Sequence, residues 1–432
     1  MRYTILLLFF SLSIITASAS THIVNNGGDY GNNTLRYHVI NSSPYDTITF
    51  SPSITGITLT QDEILIDKPL VILADHPYIF IKRDNGSNIP TFRIFHLVNS
   101  GDVWLYNLEI RFGQAELNPD YNASPGGGIL VSDANCNLNI FNCIIHSNKA
   151  ACGFRDYIPG GFFSSPGASG GGIYNSGNLH ITDSKIYNNY AGNGGVWCGV
   201  KKDESAGTCD AFNGGNGGAI CNTHRLFISN SIVDNNKAGD GGDWPLAPIN
   251  WTGTGGFGGG IMNEVGAECT ISSSLFYDNS SGMGTVVFDI SSGNIWGGYS
   301  GSGGGICNYG TLAISNSTFS RNFTKLTYQN IGSGSALYSG TSSFNTLDNS
   351  IFYNNFREVS MGQDDLFISD LALDISYSLV GTFRPGSMNG LNNLEEINPQ
   401  FIGNNCFQLS FNSPCINAGN PDTSGLPSYD LG

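Results

Sequence analysis

The sequence predicts an all-β chain wound as a right-handed parallel β-helix, and three observations carry that prediction. First, a unit recurs: Gly170-Gly171-Gly172-Ile173 opens a stretch that repeats from Gly217, Gly258 and Gly303. Counted from Ile173, Ile220 and Ile306, each copy has an apolar residue at +6, +8 and +13. Each also has Ser at +11 and Asn at +2 and +16. Second, these apolar positions alternate with period two, the pattern of short strands. Third, glycine triplets and asparagines stand where a sharp corner needs a left-handed backbone.

A unit of about twenty residues cannot bury a core alone, but it can when stacked on its neighbours at about 4.8 Å. Ile173, Ile220, Ile261 and Ile306 then form one interior row, and Ile181, Ile228, Ile271 and Ile314 another. Asn175, Asn222, Asn263 and Asn308 form an amide ladder at a turn. The copy starting at Gly258 is two residues longer, and degenerate copies run from Gly126 to Asn148 and from Gly334 to Asn355. Units begin 44, 47, 41 and 45 residues apart, close to the length of a β-propeller blade. A blade needs four alternating strands, however, and here the alternation stops after about twenty residues.

The repeats resemble those of the polymorphic outer-membrane proteins and related β-helix surface proteins. Gly217-Gly218-Ala219-Ile220 matches the first signature of those repeats. Phe276-Tyr277-Asp278-Asn279, Phe319-Ser320-Arg321-Asn322 and Phe352-Tyr353-Asn354-Asn355 match the second, Phe-x-x-Asn. The resemblance implies a secreted or surface-displayed solenoid of the pectate-lyase-like class, often an adhesin. No translocating barrel follows in this sequence.

Met1 to Ala19 reads as a signal peptide: Arg2, an apolar run from Ile5 to Ile15, and Ala17-Ser18-Ala19 as the cleavage site. No later stretch approaches the length of a membrane span. The expectation is a secreted or cell-surface protein with no membrane insertion. A net charge of −16 excludes nucleic acid as a natural partner and disfavours an acidic polysaccharide. Residues 20–125 are read as an N-terminal cap and first coils, the cap being a short helix around Leu35 and Val39. Residues 126–355 are the repeats, and 356–432 the last coils and C-terminal segment. Within the latter, Ser413-Pro414-Cys415-Ile416-Asn417-Ala418-Gly419 resembles the closing segment of choice-of-anchor surface proteins. Such chains continue past a motif like Tyr429-Asp430-Leu431-Gly432, so a truncated chain is expected.

Ten cysteines suit an oxidising compartment. Cys198 with Cys209, and Cys406 with Cys415, bracket short segments and are the disulfide candidates. Cys221 and Cys307 share a coil position two units apart, about 9.6 Å, which is too far to bridge. Cys269 falls in an apolar slot and is expected as a buried thiol.

Function is sought in the insertions at 150–169, 190–216, 237–257 and 280–302, expected along one edge as flexible loops or as degenerate coils. Their rings, Trp197, Trp244, Trp251, Phe257, Trp296 and Tyr299, are the candidate binding residues. Aromatic faces there suit stacking on a glycan or anchoring a surface protein. The competing reading has the same rings clamping their own loops to the helix side.

No catalytic or metal-binding residues are assigned. Gly362-Gln363-Asp364-Asp365 looks like an element of the galacturonase-type hydrolases, which need paired carboxylates. The downstream His-Gly and Arg-x-Lys elements of that family are absent, and the pair is read as a solvated turn. Lys201-Lys202-Asp203-Glu204 has lyase-like residue types but reads as a charged loop tip. Asp240 and Asp243 could hold Ca²⁺ but lack a regular calcium motif, so no cofactor is expected. A polysaccharide lyase or hydrolase, or a passive stalk, stands as the alternative to an adhesin. Asn-x-Ser/Thr triplets such as those at Asn279 and Asn322 belong to the turn motif.

Overall fold

The computed structural model describes residues 19–421, except 76–77, 119, 121, 159–160, 200–207, 243–248, 290–293, 328–329, 342, 359–361, 370–372, 385–389 and 404–406. At 155–158, 161–164, 196–199, 208–210, 249–251, 287–289, 294–296 and 330–331 the backbone alone is described. The chain is a parallel β-helix of three long sheets, right-handed as parallel crossovers require. Within each coil the three strands follow the repeat. Ile173–Asn175 lies in a 10-stranded sheet 1, Asn178–Thr182 in an 11-stranded sheet 2, and Lys185–Tyr187 in an 11-stranded sheet 3.

The expected rows are present. Ile129, Ile173, Ile220, Ile261, Ile306, Leu337 and Leu366 are neighbours in register along sheet 1, all fully buried. In sheet 3, Phe276, Phe319 and Phe352 stack with ring centroids 4.7 and 4.9 Å apart. The asparagine at +2 bonds its successor from Asn175 to Asn222, Asn263 and Asn308, and Asn308 bonds Asn345 on the next sheet 2 strand, at 2.7–3.0 Å. A second ladder at +16 runs through Asn148, Asn189, Asn236, Asn279, Asn322 and Asn355. Serine at +11 has an equally local reason: each hydroxyl accepts the backbone N–H of the coil before, as in Ser231 to Ser274 and Ser274 to Ser317. The corner residues at +10 and +15, such as Asp183 and Asn188, have φ of 52° and 53°. Asparagine tolerates that region better than most residues.

The +16 ladder ends on Asp365, whose Oδ1 accepts Asn355 Nδ2 at 2.7 Å. This corrects the reading of Asp364 and Asp365 as a solvated turn, since both are buried. Asp364 receives the Gly334 N–H and pairs with Arg357 at 3.1 Å. Burial pushes the Asp365 carboxyl up to about 7, against the opposing hydrogen bonds from Asn355 and Thr382.

The open end is covered by the helix Leu35–Asn41, capped by Thr34, with Leu35 and Val39 buried against the first strands. Beside it Asp46 accepts the Ser20 N–H at 2.7 Å and pairs with His22 at 2.8 Å.

The insertions all leave from the corner between sheets 3 and 1, as expected, but their stems are not loose loops. In the arm after Asn189, the N–H groups of Ala191 and Gly194 bond the next outgoing arm at Lys237 and Asp240. Those of Gly192 and Gly195 bond the previous return arm at Ala168 and Ser165. A period of three with all bonds outward is polyproline II geometry. Successive arms interleave as Ala168, Gly192, Gly215, Gly239, Gly256, Gly282 and Gly301, each donating to the one before. A Cβ at Gly239 would collide with the Gly192 carbonyl oxygen, so no side chain fits there.

The cysteine expectations divide. Cys269 is a buried free thiol, and Cys221 and Cys307 are free and buried on either side of Met262. Cys415 is also a free thiol, and its expected partner Cys406 lies outside the described residues. Cys198 faces Cys209 across an antiparallel pair, in the register such a bond requires.

Candidate functional site

A broad concave surface lies on the outer face of sheet 2. It is an open groove of about 670 Å³ crossing five adjacent strands, from Gly101–Tyr106 to Glu268–Ser272. Because side chains alternate across a strand, each coil that buries its +6 and +8 residues must present +5 and +7 outward. The register turns these into two parallel rows. Asp102, Asn137, Asn178, Arg225 and Glu268 form one; Trp104, Asn139, His180, Phe227 and Thr270 form the other.

The first row is polar and internally bonded. Asn137 Nδ2 donates to Asp102 at 2.7 Å, Asn178 Nδ2 donates to Asn137 at 2.7 Å, and Arg225 meets Glu268 at 3.1 Å. The second row carries the rings of Trp104, His180 and Phe227, with His180 and Phe227 stacked at 4.6 Å and both exposed. Partial burial of its ring holds the His180 imidazole below its ordinary value, so it stays neutral near pH 7. The next outward position adds Tyr106 and Phe141, stacked at 5.1 Å. The groove therefore offers flat apolar faces flanked by amide, carboxylate and guanidinium groups.

Sequence reasoning singles out none of these residues. A signal was present. Between the fixed apolar positions the outward residue changes from His180 to Phe227 to Ala313. Positions that vary inside a strict repeat answer to the surface, not to the core.

The predicted insertion rings have different fates. Trp244 lies outside the described residues. Trp197, Trp251 and Trp296 fall in short strands at the insertion tips. There Thr208–Ala211 pairs with both Val196–Gly199 and Ile249–Trp251, so Trp197, Asp210 and Trp251 occupy one row across two insertions. Tyr299 is 66% exposed. Phe257 is partly buried and packs against the cluster of Cys221, Met262 and Cys307. The Lys201–Glu204 run and Asp243 also lie outside the described residues. Asp240 is engaged by Lys237 at 2.6 Å and by the Met283 N–H at 2.8 Å.

No protein-family model matches this chain, and no curated protein matches it. Among solved structures it is similar to the crystal structure of pectate lyase Pel9A. The identity is 11%, over 96% of this chain and 94% of that one, with a TM-score of 0.45. It is also similar to PfbA, a surface adhesin of Streptococcus pneumoniae, at 11% identity over 81% and 80% of the two chains, with a TM-score of 0.30. Likenesses this distant leave the function to be argued from the groove itself.

Proposed function

We propose that this is an exported β-helix protein that binds a neutral, linear glycan in the groove of sheet 2. The observation that carries the reading is the pairing, across five coils, of a polar row with a row that carries Trp104, His180 and Phe227. Sugar rings present an apolar face that stacks on aromatic rings, and edges of hydroxyls that seek paired donors and acceptors. At about 4.8 Å per strand the groove spans roughly 19 Å, room for several sugar units. A neutral ligand suits the chain's charge of −16, since a polyanion would be repelled. Export is supported by the Met1 to Ala19 leader pattern. Among the described residues, no helix is long and apolar enough to cross a membrane.

The Trp197–Asp210–Trp251 row favours a second surface, where the insertion tips hold a glycan branch or a surface protein. Glycan-array binding by protein starting at Ser20 separates the two. Trp104→Ala and Phe227→Ala each weaken binding at least about tenfold if the groove is the site. Loss confined to Trp251→Ala moves the site to the tips, and no binding to any glycan overturns both glycan readings.

A further inference from the structure

Around the corner from the groove, on the outer face of sheet 1, three side chains stand in a line that binding does not explain. Glu63 precedes the strand Ile64–Ile66, His96 is the middle of Phe95–Leu97, and Ser132 follows Ile129–Val131. These strands are neighbours, with Leu65, His96 and Leu130 in one row. Ser132 Oγ lies 2.6 Å from His96 Nε2, and Glu63 Oε1 lies 2.6 Å from His96 Nδ1. We propose that Ser132, His96 and Glu63 form a Ser–His–acid hydrolytic site for carboxylic esters. On the reading that a glycan occupies the groove, its substrates are acyl esters of sugar hydroxyls.

The roles follow from the contacts. Arg93 holds the second oxygen of Glu63 at 3.3 Å. Burial acts to raise the Glu63 pKa, but the His96 hydrogen bond and the charges of Arg93, His96 and Arg36 outweigh it and keep the group ionised. An ionised carboxylate only accepts, so the ring proton sits on Nδ1. The lone pair on Nε2 is thereby aimed at the Ser132 hydroxyl, the tautomer a general base requires. The turn after Ser132 is clamped by Asp133, whose carboxylate takes the N–H groups of Asn99 and Asn135. Among the described residues, the N–H groups of Asp133 and Ala134 have no protein acceptor. A donor on the residue after the nucleophile is where an oxyanion is commonly held.

The chain holds a second such trio that serves as a contrast. His146 lies between Glu109, at 2.8 Å, and its own neighbour Ser147. Its side chain is 11% exposed and its ring is stacked on Tyr187 at 4.6 Å, so it is the more enclosed of the two. His96 is open on its outer side, with 22% of its side chain exposed.

The step balances without a cofactor. Ser132 Oγ bonds to the acyl carbon as Nε2 takes its proton, and that proton leaves with the sugar hydroxyl when the ester C–O bond breaks. Water, deprotonated by Nε2, then adds to the acyl-serine; the acyl–Oγ bond breaks, Nε2 returns the proton to Ser132 Oγ, and the carboxylic acid leaves.

The test uses protein starting at Ser20, a fluorophosphonate probe and p-nitrophenyl acetate. The expected result is a probe adduct on Ser132 by peptide mass spectrometry. Ester hydrolysis should fall about 100-fold in Ser132→Ala and in His96→Gln, with melting temperatures unchanged. Wild-type hydrolysis no faster than Ser132→Ala, with Ser132 unlabelled, overturns the proposal. Neither probe contains a sugar. A chain that labels at Ser132 but binds no glycan therefore sinks the groove reading alone, and one that binds glycan without labelling sinks this one alone.

Discussion

The coils and the insertion arms solve one problem in opposite ways. Both stack once per turn of the solenoid, and both must satisfy backbone groups between layers. The coils do it with side chains: rows of isoleucine and phenylalanine inside, and asparagine and serine ladders at the corners. The arms do it mainly with backbone, bonded in two directions because from Gly192 to Gly301 nothing larger than hydrogen stands where they interleave. Bringing the chain that close removes every side-chain degree of freedom, so a layer of arms is less tolerant of substitution than the core.

The largest expected effect tests that claim. Gly239→Val forces a side chain into the Gly192 carbonyl and should cost more than about 4 kcal/mol, enough to abolish cooperative melting. If it melts as wild type, the arms are not close-packed and the contrast fails. On the coil side, Phe319→Ala opens a cavity in the aromatic row and should cost about 3–5 kcal/mol in denaturant unfolding. Asn236→Ala should cost about 2–4 kcal/mol, because it strands the Asn189 N–H and three acceptors of its own amide.

A pH series sharpens the comparison at the ladder's end. The Asp365 carboxyl is raised to about 7 in the folded chain, above its ordinary value. Between about pH 4 and 7 the unfolded chain therefore releases this proton first, and stability falls as pH rises, by roughly 1 kcal/mol per unit. Asp365→Asn should remove that slope when its melting is compared with wild type across the same range. The smallest effect is expected in the groove. Arg225→Ala changes stability by less than about 0.5 kcal/mol, since its pair with Glu268 is exposed, while weakening glycan binding.

The same contrast explains what could be read from the sequence. The coils were legible because their physics sits in side chains: isoleucine, serine and asparagine at fixed offsets name the row each belongs to. The helix over the open end was legible for the same reason, from Leu35 and Val39. The arms hid in plain glycine, whose recurrence reads equally as slack, and only the hydrogen bonds distinguish slack from close packing. Asp364 and Asp365 misled because a carboxylate pair at a turn is usually wet, and only the preceding asparagines show what the second one accepts. The groove was hidden by its distribution: Asp102, Trp104, His180, Arg225 and Glu268 come from four coils and meet only through register. Ser132, His96 and Glu63 are likewise dispersed, one residue to a coil.

The ladder ending at Asp365 also has a direction. Each amide of that row gives its N–H to the next and turns its oxygen to the one before. No single asparagine can flip without breaking two neighbours, so the row behaves as one oriented chain of dipoles. Its sense suits the end, where a carboxylate can receive but, once ionised, has no proton to return. Backbone groups hold the same sense all the way back to Asn148: each amide oxygen also takes the N–H of the asparagine before it, and each Nδ2 also donates to a carbonyl of the coil before.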